Sequence, residues 1–282
     1  MNSRQRFRVL YEDGDLVVVD KAPGVLTVPT ARGERNTLVQ MLRQHLGRGR
    51  RQPPWLEVVH RLDREVSGVL VFARSQAAAE RLRADFAAHR PEREYVAIVA
   101  GSLDSSGGTF ASRMLTGRSL QRYSGAADGP GEDAVTHYAV SAHVGGASLV
   151  AVRLETGRRN QIRVHFAEAG HPILGEQRYR PEAAQHHLWR ARRLALHARL
   201  LAFTHPVTGA SLRFESPLPP EFEAFLRQAA ARHTPATRPA DRAPATPARP
   251  RQAPSSARPK PPTDPTRQRR RPPPGAGRKR PR

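Results

Sequence analysis

The chain has 282 residues, a net charge of +22, a sequence pI near 11.6 and no cysteine. The length allows one large domain or two small ones, and the missing thiols exclude disulfides, thiol catalysis and cysteine-based zinc sites. So positive a balance points to a polyanionic partner, with RNA or DNA first.

The start, MNSRQRFRVLYEDGDLVVVD, lacks the apolar stretch of a secretory signal, and no 18-residue window is apolar and free of charge. A cytoplasmic protein with no membrane partner is therefore expected. Residues 7–24 read as two short strands around the turn-forming cluster Glu12-Asp13-Gly14-Asp15. Leu38, Met41, Leu42 and Leu46 recur at helical spacing, with Asn36 placed to cap them. The segments 56–60 and 68–74 read as strands, and Ser75 caps a helix over SQAAAERLRADFAAH. EYVAIVAG is β-branched enough for a strand, as are 109–114, 134–144 and 147–155. The Gly/Ser/Asp-rich run Ser105–Asp133 is expected to be largely a mobile excursion. A helix is expected around Arg159–Ala169. Leu194–Phe203 and Ser211–Phe214 flank THPVTG as a hairpin, and PPEFEAFLRQAAARH closes the body as a helix with proline at its start. Strands outnumber helices and often follow one another directly, so the fold class is α+β with a mixed, mainly antiparallel sheet.

Composition breaks near Arg232. Residues 232–282 hold fifteen Lys or Arg, two acids and fourteen prolines, with no Val, Ile, Leu, Met, Phe, Tyr or Trp. That net of +13 leaves +9 on residues 1–231, so the body is basic in its own right. The tail has too little apolar surface to offset ordering entropy and is expected to be disordered. It serves either as a solubilising extension or as a loose arm that attracts RNA, the reading preferred here.

Two stretches stand out. In VVHRLDREVSGVLVFARS, residues 58–75, a sharply polar loop sits between apolar runs, and Asp63 is its one acid placed to act as nucleophile or base. Taken alone, such an acid caps a turn as readily as it does chemistry. In LETGRRNQIRVHFAEAGHPILGEQRY, residues 154–179, a strand gives way to the expected helix. On that helix Arg159 and Arg163 would share one face, with Ile162, Phe166 and Ala169 as the packing stripe. A basic solvated helix face is the plainer reading. No dinucleotide or phosphate-binding glycine loop is evident. The histidines are mostly scattered, and the adjacent His186 and His187 are expected to point apart.

Taken in order, these stretches resemble the RluA-type pseudouridine synthase family. His60, Arg61, Leu62 and Asp63, followed by Ser67 and Gly68, match its first motif. Thr156, Gly157, Arg158, Gln161, Ile162, Arg163, Val164 and His165 match its second. LYEDGDLVVVDKAPGVLTVP, REYVAIVAG, GHPILG and LALHARLLAFTHPVTG extend the similarity over residues 8–226. Val66 stands where the family commonly has Thr, and Arg159-Asn160 where it commonly has Thr-His. With the first strand starting near residue 7, no S4-like module is expected before the catalytic region, 1–231.

The resemblance implies a pseudouridine synthase catalytic fold and isomerisation of uridine in ribosomal or transfer RNA by a monomer needing no cofactor and no metal. It makes Asp63 the essential carboxylate, as nucleophile or as proton acceptor, Arg163 its companion cation and Tyr95 the ring that stacks on uracil. Arg61, His60, Arg158, Arg159 and Gln161 become the expected RNA contacts. The target atoms are unreachable inside a base stack, so base flipping is implied. A non-catalytic RNA-binding factor and a glycoside-cleaving hydrolase are the alternatives; the latter commonly uses two carboxylates.

Overall fold

The computed structural model describes residues 6–233 except 50, 53, 118–120 and 127. The expected tail thus lies outside the described residues, apart from the last turn of the closing helix. Eleven strands form one sheet: β1 (Phe7–Glu12), β2 (Leu16–Lys21), β3 (Glu57–Val58), β4 (Ser67–Ala73), β5 (Glu92–Ala100), β6 (Gly107–Thr116), β7 (Arg122–Gly125), β8 (Glu132–Val144), β9 (Ala147–Leu154), β10 (Leu196–Thr204) and β11 (Ser211–Glu215). The order is β1-β2-β4-β10-β5-β9-β8-β6-β7, with β3 beside β4 and β11 beside β10. Among the described residues only β4 and β10 pair in parallel, through His197 with Ser67 and Ala198 with Gly68. The α+β, mainly antiparallel expectation is met.

Among the described residues four helices cover this sheet: α1 (Leu38–Leu46), α2 (Gln76–Ala87), α3 (Gln161–Glu168) and α4 (Pro220–His233). Alternation sends strand side chains to opposite faces. Val17, Val19, Leu70 and Phe72 join the cluster containing Leu42 of α1 and Phe222 and Phe225 of α4. Leu16, Val18, Val69 and Val71 join the cluster containing Ala78 and Leu82 of α2. Because β2 and β4 are buried on both faces, residues 16–19 and 69–73 are unbroken apolar runs rather than alternating ones.

Gly68 makes the β4–β10 junction possible. Its φ is +119°, and a Cβ there would stand 2.0 Å from the Ala198 carbonyl oxygen. Ser67 is locked beside it, accepting from Arg193 Nη2 at 2.6 Å and meeting His197 Nδ1 at 2.8 Å.

Several expectations need correction. Thr37, not Asn36, caps α1: Asn36 is left-handed at φ +66°, and Gln40 Oε1 accepts the Thr37 N–H at 3.0 Å. Only Glu57–Val58 of the expected 56–60 strand pairs, since the chain then leaves the sheet to form the polar loop. Much of Ser105–Asp133 belongs to the β6–β7–β8 meander, where cross-strand hydrogen bonds outweigh a composition poor in β-formers. The His186 and His187 rings stack, centroids 4.7 Å apart.

Candidate active site

The polar loop, residues 59–66, hangs between β3 and β4 and is fastened backbone first. Thr27 Oγ1 donates to the Leu62 carbonyl at 2.8 Å and accepts the Leu62 N–H at 3.3 Å. Lys21, fully buried at the end of β2, donates from Nζ to the carbonyls of Val25 (2.8 Å), Ala22 (3.1 Å) and Arg64 (3.2 Å). Burial and the Arg193 charge push the Lys21 amine down to about 7, against the pull of Asp63 and Glu65. Three carbonyl acceptors call for three N–H donors, which favours the ammonium form. Asp63 is therefore presented between two anchored neighbours, Leu62 tied to Thr27 and Arg64 tied to Lys21.

His60 is committed to the same task. Its Nε2 accepts the Val71 N–H at 3.1 Å and its ring stacks on Phe86 with centroids 4.5 Å apart. Burial, helped by the Arg93 charge, lowers its pKa to about 3, so the ring stays neutral.

The opposite wall is α3. The helix begins at Gln161, because Asn160 is left-handed at φ +59°, a conformation asparagine tolerates better than most residues. The expected Arg159–Ala169 helix is thereby shortened, and Arg159 does not share a helical face with Arg163. Nor does α3 show a solvated basic side: Gln161 through Ala167 are all buried. Gln161 holds the turn before the helix, accepting from Thr156 Oγ1 (2.8 Å) and the Arg158 N–H (2.9 Å) and donating to Val135 O (3.0 Å) and Thr136 Oγ1 (2.9 Å). His165 lies between Thr136 and Ser112, each 2.9 Å away, and burial lowers its pKa to about 4.

Arg163 joins the two walls. Nη1 donates to Asp63 Oδ2 at 3.0 Å, while Nε and Nη2 make a bidentate pair with Glu176 at 2.7 and 2.8 Å. Burial opposes the Arg163 cation, but the Glu176 hydrogen bonds and the Asp63 and Glu176 charges outweigh it, raising the pKa above the ordinary guanidinium value. The Glu176 side chain is completely buried, and its Oε1 also accepts N–H groups from Gln177 (2.9 Å), Arg178 (2.7 Å) and Tyr179 (3.3 Å). Burial raises Glu176, and the Arg163 bonds more than reverse it, leaving a pKa below the usual carboxylate value. The Tyr179 ring lies 5.5 Å from the guanidinium carbon.

Asn160 completes the shell. With its amide nitrogen toward the carboxylate, the orientation in which each atom meets a complementary partner, it donates to Asp63 Oδ2 at 2.8 Å and Oδ1 at 3.2 Å, and accepts from the Tyr179 hydroxyl at 2.9 Å. The Asp63 side chain keeps 23% of its surface exposed, toward a small cleft. Tyr95 on β5 lines that cleft with Asp63, Arg61, Arg158, Arg159 and Arg163. Burial raises the Tyr95 pKa, reinforced by Asp63 and opposed by Arg93, so it enters the cleft as a neutral phenol. Larger basic grooves open on either side, one of about 750 Å³ reaching Arg32, Arg178 and Arg192, the other of about 730 Å³ reaching Arg83 and Arg93.

Of the residues singled out from sequence, Asp63, Tyr95, Arg163, Arg61, Arg158 and Arg159 converge on this cleft, with Arg61 exposed and lining all three openings. Arg158 also donates to Asp133 O at 2.9 Å and Glu132 at 3.1 Å. His60 and Gln161 border the openings while their polar atoms serve the fold. Sequence reasoning passed over Glu176, Asn160, Tyr179 and Lys21. An acid directly after HPILG, and a lone Lys ending an apolar strand, were the available signals.

Comparison with known proteins adds relatives. A family model described as RNA pseudouridylate synthase matches residues 15–168. Ribosomal large subunit pseudouridine synthase D of Zymomonas mobilis is 37% identical over 228 residues, 78% of this chain and 71% of that protein. The protein of the same name from Pseudomonas aeruginosa is 38% identical over 224 residues, 76% of this chain and 69% of that one. Among solved structures, human RNA pseudouridylate synthase domain containing 4 superposes with a TM-score of 0.63 at 25% identity, covering 79% of this chain and 92% of that one.

Proposed function

The chain belongs to the RNA pseudouridylate synthase family and isomerises uridine in RNA, and from that premise we propose that it acts on large-subunit ribosomal RNA with Asp63 as the reacting carboxylate. The names of relatives sharing 37% and 38% of their aligned residues with this chain support ribosomal over transfer RNA as the substrate.

The chemistry conserves atoms: the N1–C1′ bond breaks, the uracil turns, a C5–C1′ bond forms, and a proton leaves C5 while one reaches N1. An ionised carboxylate can assist by attacking C1′ or by taking a ribose proton, and the geometry serves either role. Arg163 and Asn160 both donate to Asp63, and the carboxylate remains open on the cleft side. Tyr95 offers a ring for the flipped uracil, and among the described residues its hydroxyl has no hydrogen-bond partner, leaving it free to relay the C5 proton. Arg61, exposed at the rim, is placed to fill the gap the uridine leaves in the RNA.

Residues 1–231 form the catalytic domain in this reading, and the Pro/Arg-rich segment 232–282 adds salt-dependent, sequence-independent attraction for RNA. The enzyme works as a cytoplasmic monomer. Among the described residues no helix is long and apolar enough to cross a membrane.

The observation that carries this reading is the single acid at the cleft, bonded to Arg163 at 3.0 Å and sharing its walls with Tyr95. Pseudouridine mapping of ribosomal and transfer RNA tests it in a deletion strain carrying wild type or Asp63→Asn. Loss of a large-subunit site restored only by wild type is the expected outcome. An unchanged map in the deletion strain overturns the reading.

A further inference from the structure

Arg93 on β5 is two residues from Tyr95 and retains only 7% exposure. Nη2 donates to the Glu155 carbonyl at 2.8 Å, and the guanidinium carbon lies 5.8 Å from the centre of the Phe86 ring. Its Nε is buried with no partner among the described residues. Among the described residues Arg93 makes no ion pair with any carboxylate. Burial lowers its pKa, as expected for a cation removed from water without a counter-charge. A guanidinium sunk in this way is unfavourable unless an anion arrives.

The space for an anion exists. Arg93 lines the groove of about 730 Å³ that shares Arg61, Tyr95, Leu154, Gly157 and Arg158 with the Asp63 cleft. Gly157 keeps that wall low: a Cβ there would come within 2.5 Å of Arg93 Nη1. Arg61 stands exposed at the boundary of cleft and groove, and among the described residues it too has no carboxylate partner.

We infer that Arg93, with Arg61 at the rim, forms a seat for one backbone phosphate of the bound RNA, next to the uridine held over Asp63. The inference rests on the proposed RNA-isomerising function of the cleft. Nη1, which donates to no described residue, is the edge left for a phosphate oxygen, and the seat lies on the Tyr95 side of the cleft, away from the Asp63–Arg163 ion pair. It fixes the register of the strand without reading its sequence.

Phosphate-ethylation interference tests this with the full chain and in vitro transcribed large-subunit ribosomal RNA. Randomly ethylated transcript is partitioned by binding, and the positions depleted from the bound pool are read for wild type, Arg93→Met and Gly157→Ala. The glycine variant displaces the guanidinium without removing its charge, so it covers the case in which Arg93→Met folds poorly. The expected result is one interfering phosphate adjacent to the isomerised uridine in wild type that no longer interferes in either variant. Arg93→Met should also weaken binding by about tenfold and lower the slope of log affinity against log salt by roughly one. Identical footprints in all three proteins, or a loss of stability with an unchanged footprint, overturn the phosphate seat. Pseudouridine scored in the same transcript separates the two readings: product from wild type with identical footprints rejects only the seat, whereas no product rejects the function beneath it.

Discussion

Two buried guanidinium groups flank the cleft, and the fold treats them in opposite ways. Arg163 meets two carboxylates and lies near the Tyr179 ring, whereas Arg93 meets the carbonyls of Glu155 and Leu154 and lies over the Phe86 ring, with no carboxylate among the described residues. The difference separates two jobs. The Arg163 side needs a fixed anion, so the protein surrounds Glu176 with donors and leaves Asp63 open only toward the cleft. The Arg93 side is left short of an anion, which a substrate rich in phosphates brings with it.

Stability should show the contrast most strongly. Arg163→Met strands Glu176, wholly buried, beside an unneutralised Asp63, and should cost about 3–5 kcal/mol in chemical denaturation. Arg93→Met strands no carboxylate and should change stability by no more than about 1 kcal/mol. Equal losses in the two variants would break the comparison.

Within the Arg163 side, Asn160→Ala removes the neutral donor to Asp63 while leaving the ion pair. Its single-turnover rate should fall by roughly tenfold to a hundredfold, with RNA affinity little altered. Equal losses of rate and affinity would instead mark Asn160 as an RNA contact.

Acid provides a gentler probe. His60, His165 and His197 are held neutral, with pKa values near 3, 4 and 4 against 6.5 in the unfolded chain, burial being the main cause for each. The unfolded chain therefore binds protons that the folded one refuses once pH drops below 6.5. Stability should be fully expressed above that pH and decline steadily toward pH 4. His165→Asn should flatten the decline, as followed by thermal melts across this range. The smallest effect expected is on truncation after residue 231: an unchanged melting temperature with weaker RNA binding at moderate salt.

The polar loop between apolar runs drew attention to Asp63, whereas the roles of Arg163 and Tyr95 were legible only through the resemblance to the RluA-type family. The sheet was legible directly, with apolar runs and turn residues marking most strands. Glu176 was not, since its meaning depends on Arg163, thirteen residues away and reached only after the chain turns back along α3. Arg93 was hidden for the opposite reason: a basic residue in a basic chain carries no signal until burial shows that nothing answers it. The α3 boundary went astray because a left-handed Asn160 delays the start of the helix to Gln161 without a proline or glycine at that position to announce it.

The most direct test is tritium release from RNA carrying C5-tritiated uridine, with wild type and Asp63→Asn compared at matched RNA occupancy. The variant is expected to fold and bind the RNA but to release tritium at least about a thousandfold more slowly. Release by the variant within tenfold of wild type would contradict the role given to Asp63.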